Sequence, residues 1–393
     1  MQETVPRFSP VKTVVYSLLP TLALLCLLEG GSRALEWWKP PLPADYGMGF
    51  DPESRVFIPS GPLRRTLTTR PEKEISFQRQ SFAMPKPGGT FRVFMLGGSN
   101  VNYLQAGFDF LGERLSDEDP GGRRFEILNM GGLAYGSSRL RRVLDEVVEY
   151  SPDLILIYMA HNEFEEMEQE REVRPERRSL QRAVYRSAFM RRLRDTAGTL
   201  QVWLLRIRRM RADLPPEVDW SATSGHEFSP EEIAERMRTY RENLAAMLDR
   251  CLERGVPVVV GTVPSNLWNP DLPASLQGVR DEIQALYARG EYAAGMALAR
   301  ETLRHASRHQ ASDAENDIIR GLAGEKGVPL VDVFSVIAAA EPNGVPGETM
   351  LSDRCHLNER GQLLLLREYE RKIRKTAGLP ESPLSIPEHT EGL

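Results

Sequence analysis

The stretch Phe91-Arg-Val-Phe-Met-Leu-Gly-Gly-Ser-Asn100 decides the fold of this chain, because a short apolar segment in it ends on two glycines and a serine. Residues 91–96 are apolar enough for a buried strand, and Gly97 and Gly98 permit a sharp corner after it. Ser99 then stands just beyond the carboxyl end of the strand. A serine hydroxyl becomes a nucleophile when a neighbouring base takes its proton and a third group orients that base.

Four further apolar segments alternate with helical patterns downstream of Ser99. Strands that alternate with helices form βαβ units, in which the strands are parallel. The sequence therefore predicts a three-layer α/β fold with a mostly parallel five-stranded sheet and helical insertions. The predicted strands are 91–96, 126–130, 153–159, 256–263 and 329–333, and the clearest predicted helices are 137–150 and 230–254, the second with a capping box at Ser229 and Glu232.

Residues with useful polar groups follow several of these strands. Ligands of open parallel sheets bind beyond the carboxyl ends of the strands, so Ser99, Ala134 and Asn162 are expected at one edge. Far downstream, Asp353 and His356 stand three residues apart, a spacing that places two side chains on one face of a helix or turn. The chain therefore offers a serine, a histidine and a carboxylate at places that one fold can bring together.

Together these segments resemble the four sequence blocks of the SGNH, or GDSL-like, hydrolase family. Leu96-Gly-Gly-Ser-Asn100 is similar to the nucleophile block, Asn129-Met-Gly-Gly-Leu-Ala134 to the second, Ala160-His-Asn-Glu163 to the third and Asp353-Arg-Cys-His356 to the last. The resemblance covers about residues 91–162 and 351–375, and it implies the flavodoxin-like fold of that family. Over most of its length the chain also resembles membrane-anchored members with a helical insertion before the last block.

The resemblance implies an acyl transfer reaction that needs no cofactor. Ser99 would be the nucleophile, His356 the base and Asp353 the group that orients it. The backbone N–H groups of Ser99 and Ala134 and the side-chain amide of Asn162 would face the oxyanion. The chain departs from the family pattern at three positions, with Gly98 where aspartate is usual, and Ala134 and Ala160 where glycine is usual.

The residues that flank Asn162 carry less definite expectations. His161 is expected either to contact the substrate or to be a packed structural histidine. Glu163 is expected at the surface or in a hinge. No metal site is predicted, because the three cysteines, Cys26, Cys251 and Cys355, have no metal-ligand spacing.

These features favour a serine ester hydrolase that acts on an acylated carbohydrate or lipid at the cell envelope. An O-acyltransferase for an envelope polysaccharide is the first alternative, because it would use the same residues and pass the acyl group to a sugar hydroxyl. A catalytically weak binding protein is the second, favoured by the three departures from the family pattern. The net charge of −5 provides no global field for nucleic acid, which is not expected as a partner.

The N-terminal segment 13–28 has no charged residue, and with residues 29–32 it reaches the length of a membrane-spanning helix. Arg7 and Lys12 precede it, and this charge placement favours a cytoplasmic N-terminus. The sequence therefore predicts a single-pass anchor in the cell membrane, with the main domain on the non-cytoplasmic side, periplasmic or extracellular. A cleaved signal peptide and a buried soluble helix are the alternatives.

Composition divides the rest of the chain. Between Arg171 and Arg211 there are thirteen arginines against three acids, with apolar residues between them. This pattern favours either contact with an anionic lipid or polymer, or a solvated helix packed on the domain. The predicted boundaries are a membrane anchor at 1–34, a proline-rich irregular connector at 35–88, an SGNH-type domain at 89–378 and a flexible tail at 379–393. The domain has insertions at about 165–225 and 276–309, the second predicted as a helical hairpin.

Overall fold

The computed structural model describes residues 9–39, 41, 49–50, 54–61, 63, 65–173, 186–211, 226–382 and 384. The chain divides into two compact units, Met1–Glu53 with Val173–Val218, and Ser54–Glu172 with Asp219–Leu393. All the strands of the described residues belong to the second, larger unit. They are β1 Phe57–Ser60, β2 Thr66–Thr69, β3 Ser81–Ala83, β4 Thr90–Gly97, β5 Arg124–Gly131, β6 Leu154–Tyr158, β7 Val258–Gly261 and β8 Leu330–Val331.

Helices fill most of the remaining described chain. The helix that begins at Pro230 has the predicted capping box, in which the Ser229 side chain and the Glu232 side chain each accept from the other residue's backbone N–H. The helices are α1 Pro10–Trp38, α2 Ser99–Asn102, α3 Gln105–Glu118, α4 Ser137–Val147, α5 Glu163–Val173, α6 Ala188–Arg211, α7 Pro230–Glu253, α8 Gln277–Ala288, α9 Tyr292–His305, α10 Asp313–Lys326, α11 Val333–Ala340 and α12 Glu359–Ala377.

The central sheet has five parallel strands in the order β5-β4-β6-β7-β8. This is the flavodoxin-like order, and the predicted α/β fold is confirmed. The chain moves outward from β4 to β5 and then returns past β4 to β6. Because parallel crossovers are right-handed, this reversal puts α3 and α4 on opposite faces of the sheet and makes three layers. A ligand crevice is expected where the direction reverses, at the carboxyl ends of β4 and β6.

The strands that flank this crevice are buried and end at the same level. Every residue of β6 is buried, as are Phe91 to Gly97 of β4. Gly97, which ends β4, pairs with Gly131 of β5 and with Tyr158 of β6. The loops that follow these three strands therefore leave the sheet at one edge.

The prediction of an irregular connector over 35–88 is wrong in two places, because α1 continues to Trp38 and strands begin at Phe57. Strands β1, β2 and β3 form an antiparallel sheet. Phe57 and Phe82 are buried in the main core, and Phe82 contacts Phe94 of β4 edge-to-face at 5.8 Å between ring centroids. These strands are only three or four residues long, and the many prolines around them favoured the prediction of irregular chain. The burial of their aromatic side chains is what holds them to the larger unit.

The second insertion is a helical hairpin, as predicted, while the end of the chain differs from its prediction. Helices α8 and α9 pack on each other, and Trp268 stacks on Tyr287 of α8 at 4.8 Å. In the predicted tail, Leu379 is buried and the Ser382 carbonyl accepts from Arg114. A flexible tail that begins at 379 is therefore wrong for residues 379–382. Residues 383 and 385–393 lie outside the described residues.

The smaller unit contains α1 and α6. Within α1, the segment Leu18–Trp38 has 21 residues with a mean hydropathy of 1.4, and it is almost entirely exposed. It is long and apolar enough to be a membrane anchor or a signal sequence. The first predicted insertion contributes α6 to this unit, while its residues 174–185 and 212–225 lie outside the described residues.

Candidate active site

Ser99 lies at the first position of α2, directly after the corner that leaves β4. The corner needs glycine at position 97, because a Cβ there would lie 2.2 Å from the Tyr158 carbonyl oxygen. The tight approach of β4 to β6 therefore sets where the chain turns. Ser99 is half-buried at the predicted sheet edge.

A hydrogen-bonded relay joins Ser99 to the loop before α12. The Ser99 Oγ lies 2.6 Å from the His356 Nε2, and the His356 Nδ1 lies 2.6 Å from the Asp353 Oδ2. The other carboxylate oxygen, Oδ1, accepts from the backbone N–H groups of Cys355 and His356 at 2.8 and 2.7 Å. The carboxylate is thus fixed by its own loop and holds the imidazole with Nε2 toward Ser99. The three residues that the sequence named as a relay are brought together.

The electrostatics of the pair favour a charged imidazole next to a charged carboxylate. Burial opposes the imidazolium, but the Cys355 sulfur and the Asp353 carboxylate outweigh it and raise the pKa of His356 above its usual value. Burial also opposes ionisation of Asp353, but its bond to His356 and the two backbone N–H groups lower the pKa of this carboxyl well below its usual range. Asp353 therefore stays ionised and holds the His356 imidazole across the neutral pH range.

Asn100 ties the loop of Asp353 and His356 to the turn at Ser99, a role that the sequence did not reveal. Its Nδ2 donates to the Cys355 carbonyl at 2.9 Å, and its Oδ1 accepts from the Leu357 N–H at 3.0 Å. The Asn100 side chain is buried, so both bonds are shielded from water. Because these bonds bracket His356, Asn100 fixes the height of the imidazole over Ser99.

The two other oxyanion candidates face the same place. Ala134 and Asn162 line one cavity with Ser99 and His356. The Asn162 Nδ2 donates one hydrogen to the Tyr135 carbonyl at 3.2 Å, and an amide nitrogen carries a second hydrogen. A Cβ on Gly98 would lie 2.3 Å from this nitrogen. The departure at Gly98 therefore leaves room for the Asn162 amide next to Ser99.

The departure at Ala134 has a visible conformational consequence. Its φ is +61°, the left-handed region that costs a non-glycine residue about 1–2 kcal/mol. The Arg139 guanidinium donates to the Ala134 carbonyl and stacks over the Tyr135 ring, 4.3 Å from its centroid. These contacts hold Ala134 in the left-handed conformation, which a glycine at this position could adopt without such support.

Glu163 is fully buried, so its predicted place at the surface or in a hinge is wrong. Helix α4 has no side-chain cap of its own. Instead, Glu163 accepts from the Ser137 N–H at 2.7 Å and Glu166 accepts from the Gly136 and Ser138 N–H groups at 3.0 and 2.9 Å. Two carboxylates of α5 therefore satisfy the first N–H groups of α4 and interact with the positive end of its dipole.

Two buried arginines balance these carboxylates. Arg139 pairs with Glu166 at 2.8 Å, and Arg236 of α7 pairs with both glutamates at 2.7 Å. Burial raises the pKa of Glu163 to about 7, while Glu166, which burial also opposes, has its pKa lowered by Arg139 and Arg236. The cluster joins three helices directly behind the Ala134 loop. Its members come from three separate segments of the chain, and of them only Glu163 lies in one of the four family-like blocks.

The relay opens into a cavity of about 690 Å³. Of the nineteen residues that line it, only Ala134, Pro270 and Leu351 are aliphatic or proline. The others are polar, charged or aromatic, or the thiol of Cys355. Apart from the predicted site residues, the polar and charged lining comes from Glu165, Asn266, Asn269, Asp271, Arg280, His309, Glu348, Ser352, Arg354 and Asn358.

The described residues that line this cavity do not include His161. Its side chain is buried, and its Nδ1 accepts from the Ala311 N–H at 3.1 Å. Burial lowers the pKa of His161 to about 3, so the ring is neutral. This environment is the one expected for the packed structural histidine, the second of its two predicted roles.

One group of side chains in the described residues has the atoms of a metal site. Asp353, Cys355 and His356 place ligand atoms within 4.8 Å of one another. The His356 Nδ1 is already engaged at 2.6 Å by Asp353, and this bond sets the direction of Nε2 toward Ser99. A metal ion at Nδ1 would have to replace that bond, so these three atoms fit the relay better than a metal.

A serine at a strand-to-helix corner, a histidine–aspartate pair and an open polar cavity define an α/β enzyme that hydrolyses ester bonds. The model of the GDSL-like Lipase/Acylhydrolase family matches residues 95–364, which include every element of the site. The chain belongs to this family, and it is an ester-hydrolysing enzyme.

Solved structures with a similar fold include several esterases. An acetyl xylan esterase has a TM-score of 0.40 at 12% identity, covering 71% of this chain and 98% of its own. An acetylxylan esterase from Geobacillus stearothermophilus has a TM-score of 0.38 at 12% identity, covering 74% and 97%. A GDSL-like lipase from Bacteroides thetaiotaomicron has a TM-score of 0.35 at 13% identity, covering 75% and 92%. No curated protein matches the sequence.

Proposed function

We propose that this enzyme removes acyl groups from a carbohydrate at the cell envelope, with Ser99 as the nucleophile. The observation that carries the proposal is the relay from Ser99 through His356 to Asp353, with both hydrogen bonds at 2.6 Å, at the floor of a polar cavity. The relay supplies the acyl transfer chemistry, and the cavity wall selects the class of substrate.

The reaction has two stages. In the first, Ser99 Oγ attacks the ester carbonyl carbon while His356 Nε2 takes its proton, and the carbonyl oxygen becomes an oxyanion. The N–H groups of Ser99 and Ala134 and the amide of Asn162 donate to that oxygen. The tetrahedral intermediate then breaks its bond to the alcohol oxygen, which leaves with the proton from His356. In the second, water attacks the acyl-Ser99 ester with the same base, and Ser99 recovers its proton as the carboxylic acid leaves.

The cavity wall favours a hydroxyl-rich substrate over a lipid. A long acyl chain needs a continuous apolar wall, and the three aliphatic or proline residues of this cavity cannot provide one. Glu165 lines the cavity although only 9% of it is exposed, and burial raises the pKa of its carboxyl against the opposing effect of Arg354. Sugar hydroxyls can add hydrogen bonds to such carboxylates and amides, whereas a hydrocarbon chain would cut them off from water and offer them none.

The place of action is proposed from the N-terminus of the chain. Helix α1 has the length and apolar surface of an anchor, and Arg7 and Lys12 precede its apolar segment. A retained anchor with a cytoplasmic N-terminus would hold the enzyme domain on the outer side of the membrane, where acylated envelope polysaccharides occur.

The nucleophile is tested with a fluorophosphonate probe and with turnover of p-nitrophenyl acetate by the full chain. Ser99→Ala should lose probe labelling and nearly all turnover, because the Ser99 Oγ is the hydroxyl that lies against the His356 Nε2. Ser335→Ala is the matched control, since Ser335 is an exposed serine on α11 that does not line the cavity. Labelling and turnover that survive in Ser99→Ala would show that another residue is the nucleophile.

The substrate class is tested by comparing acetylated xylo- and gluco-oligosaccharides with p-nitrophenyl dodecanoate. The polar wall predicts a higher kcat/KM for the acetylated sugars, and Glu165→Leu should lower that value far more than it lowers turnover of p-nitrophenyl acetate. A preference for the dodecanoate would contradict the proposed carbohydrate. Product analysis with an added sugar acceptor distinguishes hydrolysis from O-acyl transfer, in which the acyl group would reach sugar faster than water.

A further inference from the structure

Helix α6 turns its apolar side outward. Its residues Ala188, Asp195 and Gly198 are buried, whereas five large apolar side chains are 37–55% exposed. At 100° per residue, the exposed side chains fall within an arc of about 140° on the side opposite the buried residues. This outward apolar stripe consists of Met190, Leu193, Leu200, Trp203 and Leu204.

The start of α6 is fixed to α1. The Glu29 carboxylate accepts from the Ser187 hydroxyl at 2.7 Å and from the Ala188 and Phe189 N–H groups at 3.0 and 3.1 Å. Further along α1, Glu36 pairs with Arg191 at 2.7 Å. Both helices belong to the same compact unit. The contacts involve the beginning of α6, and the outward stripe extends beyond them.

Glu29 marks the level at which α6 meets α1. It is the first charged residue after the uncharged segment 13–28, and Arg33 and Glu36 follow it. The apolar window Leu18–Trp38 includes Glu29, Arg33 and Glu36. Because charged side chains are costly in hydrocarbon, the placement of a spanning α1 that we adopt puts residues 13–28 among the acyl chains and the turns from Glu29 onward at the headgroups. The first turn of α6 would then begin at the boundary between acyl chains and headgroups.

The composition of α6 suits that boundary. The helix has seven arginines and one acidic residue in its 24 positions. An arginine-rich helix with one continuous apolar stripe is the pattern of helices that lie in the plane of a membrane interface. The arginines favour anionic headgroups, which attract basic segments close to the surface.

We propose that α6 lies in the bilayer interface beside α1, with its outward apolar stripe among the acyl chains and its arginines at anionic phospholipid headgroups. A bilayer in contact with the outward apolar stripe accounts at once for three observations: the exposed apolar side chains, the arginines, and the attachment of α6 to a candidate membrane span. The insertion thereby becomes a second membrane contact, which would hold the chain at the membrane surface. The inference rests on the proposed anchor and not on the enzyme activity.

The experiment places an NBD fluorophore on single cysteines of the full-length protein in vesicles of phosphatidylcholine with phosphatidylglycerol. Exposed Cys26 is replaced by alanine for labelling at Leu200→Cys, and the Cys26→Ala protein without a new cysteine supplies the background from buried Cys251 and cavity-lining Cys355. Thr199→Cys is the matched control, because Thr199 is an exposed neighbour 100° away, outside the arc of the stripe. Doxyl groups on the lipid chains then quench whichever fluorophore they contact.

Quenching at Leu200→Cys should be at least about threefold stronger than at Thr199→Cys, and it should weaken when phosphatidylglycerol is left out. Equal quenching at the two positions overturns the proposal. So does NBD emission from Leu200→Cys that is already blue-shifted in detergent and insensitive to doxyl lipid, since the stripe would then be covered by protein. Native Cys26, labelled separately, reports on α1. If the fluorophore at Cys26 is not quenched, the anchor itself is refuted. If it is quenched at Cys26 but not at Leu200→Cys, only the placement of α6 is refuted.

Discussion

Replacing Gly98 by alanine is expected to lower kcat by about 10²–10³-fold, because it displaces the Asn162 amide, which we propose as an oxyanion donor. The added Cβ would lie 2.3 Å from the Asn162 Nδ2, whereas carbon and nitrogen pack at about 3.5 Å. The amide must therefore retreat by roughly 1 Å, which takes a donor that should lie about 2.7–3.1 Å from the oxyanion out of hydrogen-bond reach.

The same substitution should change stability little. The atom that must move is the end of a flexible side chain, and its hydrogen bond within the described residues is the 3.2 Å contact with the Tyr135 carbonyl. Losing that bond costs about 1 kcal/mol. A large fall in kcat with a change in the free energy of unfolding near 1 kcal/mol would separate loss of the donor from loss of the fold.

A double-mutant cycle tests whether Gly98 acts through Asn162. Asn162→Ala alone should lower kcat by a similar factor, and Gly98→Ala with Asn162→Ala should be no worse than Asn162→Ala alone. Turnover of p-nitrophenyl acetate and urea unfolding supply the two measurements for all four proteins. The reasoning is refuted if Gly98→Ala keeps wild-type kcat, or if the two single losses multiply in the double variant.

Three other perturbations follow from the same structure. His356 must be neutral to accept a proton, so its raised pKa places the acidic limb of the kcat/KM–pH profile above the ordinary imidazole value of about 6.5. Asp353→Asn should move that limb to lower pH while reducing kcat. An unmoved limb would contradict the assignment of His356 as the base. Ala134→Gly should keep kcat and leave the free energy of unfolding unchanged or up to about 1 kcal/mol higher in urea melts, because it relieves a φ of +61° at some cost in chain entropy. Arg236→Met should lower that free energy by about 3–5 kcal/mol, since it leaves buried carboxylates such as Glu166 short of their balancing charge, and a change below about 1 kcal/mol would contradict this.

The sequence predicted those parts of the molecule whose signals are local. Strand β6 is a continuous apolar run and β4 is apolar except for Thr90 and Arg92, and the rule that ligands gather at the carboxyl ends of parallel strands placed Ser99 and Asn162 together. Asp353 and His356 were found because their spacing is short. Asn100 stands next to Ser99, but its role depends on Cys355 and Leu357, 255 and 257 residues away. No periodicity or motif reports a contact of that kind.

The short strands β1 to β3 were not predicted, for a different reason. Three or four residues are too few to show a period of two, and the surrounding prolines are typical of irregular chain. What orders this segment is tertiary: the Glu146 carboxylate accepts from the Val56 and Phe57 N–H groups, the second at 3.0 Å, and Phe82 packs on β4. These strands therefore form because α4 and β4 provide contacts that exist only in the folded protein.

The Ala134 loop connects the buried cluster of Arg139, Arg236, Glu163 and Glu166 to the proposed oxyanion site. An alanine with left-handed φ is unfavourable by about 1–2 kcal/mol, and a backbone N–H can serve an oxyanion only while that conformation persists. Arg139 bonds the Ala134 carbonyl and is itself held by Glu166, whose carboxylate also satisfies the start of α4. Charge-assisted hydrogen bonds in a buried setting are worth about 1.5–3 kcal/mol each, enough to outweigh the unfavourable φ. The buried cluster therefore does for this loop what a glycine does by its own flexibility, and the departure from the family pattern at Ala134 is compatible with an active oxyanion site.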